Sequence, residues 1–228
     1  MKEKIIVIIP AFNEEDSIAK VIRDIPLDIV DEIIVVNNNS TDATATNAME
    51  AGAIVVNQPL QGYGNACLKG LEFIETKSFD PDIIVFLDAD YADYPEEIEK
   101  LIEPISRGFD MVIGSRALGK KEKGSMLPQQ IFGNWLATFL IRHLYKVRFT
   151  DLGPFRAIRY NKLKSLEMND KNYGWTVEMQ IKAAKKHLKI TEIPVKYRKR
   201  IGKSKITGTI KGSMGAGFKI ITTIVKYL

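Results

Sequence analysis

Apolar and polar positions come in alternating blocks along the first half of the chain. Residues 4–9 (KIIVII) form an uninterrupted, mostly β-branched run, the pattern of a strand buried on both faces. The run stops at Pro10, and Ile18, Val21, Ile22 and Ile25 then recur at helical spacing over residues 14–25. Residues 31–36 (DEIIVV) predict a second strand, followed by the polar run NNNSTD and an alanine-rich helix from Ala43. A third strand is expected at residues 53–57 (AIVVN), then the glycine-rich QGYGN and a helix to about Glu75. Residues 82–87 (DIIVFL) read as the fourth strand and residues 110–115 (DMVIGS) as the fifth. Between them lies a helix over residues 95–105, with Pro95 at its first position, where a missing N–H is tolerated.

Buried strands alternating with helices predict an α/β fold, a Rossmann-like, mostly parallel sheet flanked by helices. Ligands of such sheets sit outside the carboxyl ends of the strands. PAFNEE, NNNSTD, QGYGN, DADYAD and GSR all fall at those ends. The second half is less regular. A long helix is expected over residues 128–147, with Ile131, Phe132, Trp135, Leu136, Phe139 and Leu140 along it. DLGPFR at residues 151–156 reads as a turn into a short strand. Residues 176–186 predict a helix, 190–197 a strand, and 215–228 a terminal helix of apolar and basic residues. No repeat or linker divides the chain, so one domain is expected over residues 1–228.

Composition narrows the class without naming a function. The chain has 228 residues, 45% hydrophobic and 27% charged, as a soluble globular protein does. Its single cysteine, Cys67, rules out an internal disulfide and fits a cytoplasmic setting. No stretch reaches the roughly 18 apolar residues of a membrane span. The net charge of +5 is concentrated in KYRKRIGKSK, residues 196–205, with six cations in ten positions. Such a tract suits phosphate groups, although most of its cations are equally expected simply to face water. Nucleic acid is a poorer fit, because only Tyr197 interleaves an aromatic for stacking.

VFLDADYADYP, residues 85–95, holds three carboxylates where the fourth strand ends. Asp88 and Asp90 on such a turn can face one crevice together and ligate a divalent cation. Their plainer role is turn formation, and Asp93 is placed to start the helix at Pro95. With PAFNEE, NNNSTDAT, GYGNA, FLDADY and GSR in order after successive strands, the chain resembles an inverting family 2 glycosyltransferase. GSR, DLGPFR and YRKRIGKSKITGT make it most similar to the dolichyl-phosphate or polyprenyl-phosphate sugar synthase branch.

The resemblance implies a GT-A fold, a nucleoside-diphosphate sugar as donor and Mg²⁺ or Mn²⁺ on Asp88 and Asp90. It implies a nucleotide-sugar half over residues 1–116 and an acceptor half over residues 117–228 ending in an amphipathic helix. Pro10, Ala11, Asn13 and Glu14 would line the base and ribose, with Asn37 and Asn39 in the second loop, Gly62 and Gly64 in the third, and Asp88, Ala89 and Asp90 in the fourth. Arg116, Arg156, Arg198 and Lys205 match positions associated with acceptor phosphate. Two departures stand out. The second loop begins with Asn37 where the family usually has Asp, and Ala92 replaces a second metal ligand.

Asp90, Arg116 and Glu178 are accordingly the expected catalytic residues. A hexose, from UDP-glucose first, would pass to a dolichyl or polyprenyl phosphate, a lipid acceptor that brings peripheral contact with the cytoplasmic face of a membrane. The apolar helices at 128–147 and 215–228 could supply that contact, or dock on the sheet or on a second copy in a homo-oligomer. Two alternatives stay open. A hydroxyl acceptor of a soluble or cell-envelope molecule would need Glu178 as general base, and a non-catalytic nucleotide-sugar-binding protein would need neither.

Overall fold

The computed structural model describes residues 2–202 and 210–228. Seven strands form one sheet: β1 (Ile5–Ala11), β2 (Glu32–Asn37), β3 (Ile54–Asn57), β4 (Ile83–Phe86), β5 (Met111–Ser115), β6 (Arg156–Arg159) and β7 (Ile190–Pro194), in the order β3-β2-β1-β4-β6-β5-β7. The eight α-helices among the described residues are α1 (Ile18–Arg23), α2 (Thr44–Glu50), α3 (Tyr63–Thr76), α4 (Ile98–Ser106), α5 (Pro128–Tyr145), α6 (Tyr160–Leu166), α7 (Trp175–Lys185) and α8 (Ile210–Lys226).

The continuous apolar strands are buried on both sides because each face carries helices. Along β1, Ile6 and Ile8 point into a core built with α3, α5, α6, α7 and α8. Ile5, Val7 and Ile9 point the other way, against α1, α2 and α4. This is the two-residue side-chain period of a strand packed in a three-layer α/β domain.

Strands β1 to β4 are mutually parallel where they pair, as expected. β6 is not. It runs antiparallel between β4 and β5, pairing Phe86 with Arg156 and Ile113 with Arg156. Its starting end therefore lies beside the finishing ends of β4 and β5. That reversal carries the loop before β6, residues 151–155, to the same edge as the carboxyl ends of the parallel strands.

Several boundaries differ from expectation. The first helix is shorter, because the backbone N–H groups of Ser17 and Ile18 close a turn on the Glu14 carbonyl before α1 begins. Pro95–Glu97 is a single 3₁₀ turn ahead of α4. β7 ends at Pro194, after which Tyr197 makes only isolated bridges, to Asp93 and to Lys121. Helix α6 was not anticipated. α8 begins five residues before the expected start.

Candidate active site

The loops after β1 and β2 are locked to each other before they present anything to solvent. Asn13 and Asn39 both take left-handed backbone angles, with φ of 53° and 65°, a conformation asparagine tolerates better than most residues. The Asn13 side chain accepts from the Thr41 N–H, and its own N–H donates to Ser40 Oγ. Glu14 N–H donates to Thr44 Oγ1, and Glu15 accepts from the Ala43 N–H. Asn37 bonds Asn57 across the strand ends and accepts from the Ser40 N–H. Asn13, Asn37 and Asn39 thus shape the loops, and Asn38, which the sequence reading passed over, faces the cleft. Asn38 donates to the carbonyls of Gln58 and Leu60 and accepts from the Gly62 N–H.

That cleft has a volume of about 370 Å³. Of the expected residues, Pro10, Ala11, Glu14, Gly62, Asp88, Ala89 and Asp90 line it. Phe12, Gln61, Tyr63, Asn172, Tyr173 and Arg200 complete the wall, and none of them was expected. Asn172 and Tyr173 arrive on the loop between α6 and α7, which rests directly on the glycine turn. A Cβ at Gly62 would come within 2.2 Å of the Lys171 carbonyl oxygen, and one at Gly64 within 1.9 Å of that of Asp170. Gly62, with φ of 141°, is also in a region L side chains rarely adopt. The glycines therefore let a second-half loop close over the cleft.

The acidic turn divides its labour. Asp90 Oδ1 accepts the Ala92 N–H at 2.9 Å, which leaves Oδ2 turned toward Arg200 Nη1 at 3.2 Å. Arg200 Nη2 reaches Glu14 Oε1 at 2.8 Å. Asp88 Oδ1 and the Tyr63 hydroxyl are buried, near enough to influence each other's ionisation, yet neither has a formed hydrogen bond. Burial, then the Asp90 charge, pushes Asp88 up to about 7, with Arg200 opposing. Asp93 does not start a helix as expected. It is buried with both carboxylate oxygens unpartnered, and burial and the Asp88 charge push it well above the carboxylate range.

An orphaned Asp88 oxygen beside a pre-oriented Asp90 suits a divalent cation. Among the described residues no three His, Cys, Asp or Glu side chains form a complete cage. Two carboxylates are sufficient for Mg²⁺ or a similar ion, which takes its other ligands from substrate phosphates and water.

A second cavity of about 260 Å³ adjoins the first, sharing Tyr63, Asp88 and Tyr173 with it. Its walls come largely from α5 and α8, including Gly133, Ala216 and Ile220, with Met126 ahead of α5 and Leu152 and Pro154 ahead of β6, and Arg116 enters it. Arg116 is gripped by Asp151, Nε to Oδ2 at 2.8 Å and Nη2 to Oδ1 at 2.6 Å, and lies over the Tyr197 ring. Burial works against both charges, but each partner more than offsets it: Asp151 sits below its ordinary value and Arg116 above.

The other expected acceptor residues are not gathered here. Arg156 is fully buried and lines neither cavity, its guanidinium donating to the carbonyls of Leu152, Gly153 and Thr176. Arg198 stacks on Tyr91 and Tyr94 and donates to the Tyr91 carbonyl, behind the acidic turn. Lys205 lies outside the described residues. Glu178 corrects the general-base expectation: it is fully buried, accepts from the Asn169 and Asp170 N–H groups, pairs with Lys182 and bonds the Tyr227 hydroxyl. It lines neither cavity. It organises the loop that carries Asn172 and Tyr173.

A mostly parallel sheet with acidic and glycine turns at its carboxyl edge, roofed by a loop from the second half, is the GT-A arrangement. The comparisons agree, with the model of glycosyl transferase family 2 matching residues 6–167. The chain belongs to glycosyltransferase family 2. It is 33% identical over 207 residues to a dolichyl-phosphate hexose transferase of Haloferax volcanii, covering 88% of this chain and 85% of that one. It is 28% identical over 222 residues to an undecaprenyl-phosphate mannosyltransferase of Micrococcus luteus, covering 92% and 90%. These relatives lie in the polyprenyl-phosphate branch. Among solved structures, it is similar to Mycobacterium tuberculosis glucosyl-3-phosphoglycerate synthase in complex with Mn²⁺, UDP-glucose and phosphoglyceric acid. The TM-score is 0.78 at 25% identity, over 99% of this chain and 79% of that one.

Proposed function

We propose that the protein is an inverting, divalent-metal-dependent hexosyltransferase that moves a hexose from a nucleoside-diphosphate sugar to a polyprenyl or dolichyl phosphate. The observation that carries the reading is the junction of two cavities at Asp88, Tyr63 and Tyr173. One is polar and walled by the nucleotide loops, and the other is more apolar with Arg116 set into it. The names of the relatives support the lipid-phosphate acceptor. UDP-glucose is the favoured donor, in line with the ligand of the similar structure.

In this reading the donor lies across residues 10–14, Asn38 and the glycine turn, its diphosphate directed at Asp88 and Asp90. Mg²⁺ or Mn²⁺ held by those two carboxylates would offset the charge of the departing nucleoside diphosphate. Arg116, fixed in direction by Asp151, holds the acceptor phosphate against the repulsion of the donor's phosphates. The acceptor attacks the anomeric carbon from the side opposite the leaving group, which inverts its configuration. An acceptor phosphate is already ionised and needs no general base. The sealed position of Glu178 supports that acceptor over a hydroxyl.

Residues 1–116 supply most of the donor cleft, which Asn172, Tyr173 and Arg200 complete, and residues 117–228 most of the acceptor cavity, which Arg116 enters. Helices α5 and α8, which wall the second cavity, also expose Phe132, Trp135 and Phe139, and Phe218, Ile221 and Val225. Neither helix contains an acidic residue. Among the described residues no helix is long and apolar enough to cross a membrane. A face of this kind lies flat at a lipid surface, where it would bring the second cavity to a lipid acceptor.

The test is transfer of radiolabelled hexose from UDP-, GDP- and dTDP-sugars, with Mn²⁺ or Mg²⁺ and polyprenyl phosphate. Label should enter a butanol-soluble lipid, be lost with EDTA, and fall sharply with Arg116→Met. Label confined to water-soluble product would overturn the lipid acceptor.

A further inference from the structure

Glu14, Asp88 and Asp90 all face the donor cleft, and Arg200 is the one cation among its described lining residues. The backbone that carries Arg200 is fastened to the acidic turn: Arg198 N–H donates to the Ala92 carbonyl at 2.9 Å and Ile201 N–H to the Asp90 carbonyl at 3.0 Å. The guanidinium then spans the cleft floor, Nη2 on Glu14 Oε1 at 2.8 Å and Nη1 on Asp90 Oδ2 at 3.2 Å. Its Nε is buried without a hydrogen-bond partner among the described residues.

This arrangement conflicts with a loaded site. Asp90 Oδ1 already accepts the Ala92 N–H, so Oδ2 is the more available oxygen for a divalent ion. Such an ion sits about 2.0–2.1 Å from its carboxylate oxygen, in the direction Arg200 now occupies. The two cations then compete for Oδ2, against their mutual repulsion. A diphosphate entering the cleft offers the displaced guanidinium a new bidentate anion, and its anchored backbone keeps it within reach.

We propose that Arg200 is an exchangeable counter-ion of the donor site. In the empty protein it neutralises Asp90 and Glu14, and on loading it gives up Asp90 to the divalent ion and takes a diphosphate oxygen. It therefore opposes the metal alone and favours metal and nucleotide together. This rests on the donor-site reading above and adds a residue to it. The two effects have opposite signs, which separates the role from simple structural support.

Mn²⁺ binding to the whole protein, read as loss of the free-ion paramagnetic resonance signal, tests it without any turnover. Arg200→Ala should bind Mn²⁺ alone about tenfold more tightly than wild type, and should bind UDP at saturating Mn²⁺ about tenfold more weakly, within the usual range of such couplings. Arg200→Gln, nearer in shape, should shift both in the same directions, and thermal melts in metal-free buffer check that both variants are folded. Mn²⁺ binding that is unchanged or weakened in both variants overturns the proposal while leaving the donor site standing. If wild type binds no Mn²⁺ with or without UDP, the donor-metal reading falls and the proposal with it.

Discussion

Replacing Arg156 with methionine separates a phosphate-binding arginine from a structural one. The side chain is 0% exposed and its guanidinium donates to three backbone carbonyls, those of Leu152, Gly153 and Thr176. Burial pulls it down to about 10, with Tyr63 and Asp151 opposing, so it is still charged at neutral pH. Methionine fills similar volume but strands those carbonyls, and at about 1–3 kcal/mol for each unsatisfied buried acceptor a total loss of roughly 3–5 kcal/mol is expected. For a chain of this length each kcal/mol lowers Tm by roughly 2–4 °C, so a fall of about 10 °C is expected. Differential scanning fluorimetry reads the fall, and transfer assays at 20 °C, or cooler if needed, read the function of what remains folded. The acceptor KM should then stay within about threefold of wild type, the small change of a residue that supplies no uniform binding energy. A Tm within about 2 °C of wild type, less than one kcal/mol on the same scale, with a tenfold or greater rise in acceptor KM, would refute the reasoning and return Arg156 to the acceptor site.

Glu178→Gln should leave kcat within about fivefold while lowering Tm; a general base would lose about 10²–10⁴-fold, and a fall of that size in a folded variant would reinstate it. Gly64→Ala drives a Cβ into the Asp170 carbonyl, and overpacking of this kind costs about 1–3 kcal/mol. Its distinguishing sign is a raised donor KM, because the displaced loop carries Asn172 and Tyr173; an unchanged KM would uncouple that loop from donor binding. Asp151, held below its usual 3.8 by Arg116 against the opposing effect of burial, stabilises the fold above pH 3.8. That contribution is lost as pH falls through its lower folded value. Asp151→Asn should therefore be less stable at neutral pH and show a shallower acid limb in pH-dependent melts, and an acid limb as steep as wild type would disprove the linkage.

Much of the donor half was legible because its signals are local. A β-branched run such as KIIVII needs burial on two faces whatever surrounds it, and the polar residues that follow each run must then share one edge of the sheet. That logic places their loops at the cleft edge, and the family resemblance singled out Pro10, Ala11, Glu14, Gly62, Asp88 and Asp90 within them, all of which line the cleft. The four-residue β6 was foreseen only as a short strand after a turn. Its antiparallel insertion is decided by pairing with Phe86 and Ile113, which no periodicity in RAIR encodes. The resemblance pointed to Asn37 and Asn39, whereas contacts with Asn57, Gln58 and Leu60, far along the chain, set the loop register that brings Asn38 to the cleft. Lys/Arg tracts show a similar limit. Arg198 and Arg200 are two residues apart, yet one stacks on Tyr91 and Tyr94 while the other meets Glu14 and Asp90. Charge says that each cation needs an anion or a ring; only the tertiary fold says which.

The acidic turn shows how that limit bears on chemistry. Three carboxylates close in sequence read as one ligand pair and one helix cap, with Ala92 as a missing ligand. In the folded chain the backbone N–H of Ala92 is what aims Asp90, tying down one oxygen so that the other points into the cleft. A small side chain suits that position, because Ala92 is buried where a longer one would have to displace its neighbours. Asp93 is then the odd member, sealed with both oxygens unpaired close to Asp88 and Arg116. Burying such a group as a carboxylate without hydrogen bonds is costly, whereas the rise of Asp88 has another source, its own burial and then the Asp90 charge. In the proposed donor site a divalent ion held by Asp88 and Asp90 would offset their mutual repulsion, so a pair unfavourable as two neighbouring anions suits a shared cation.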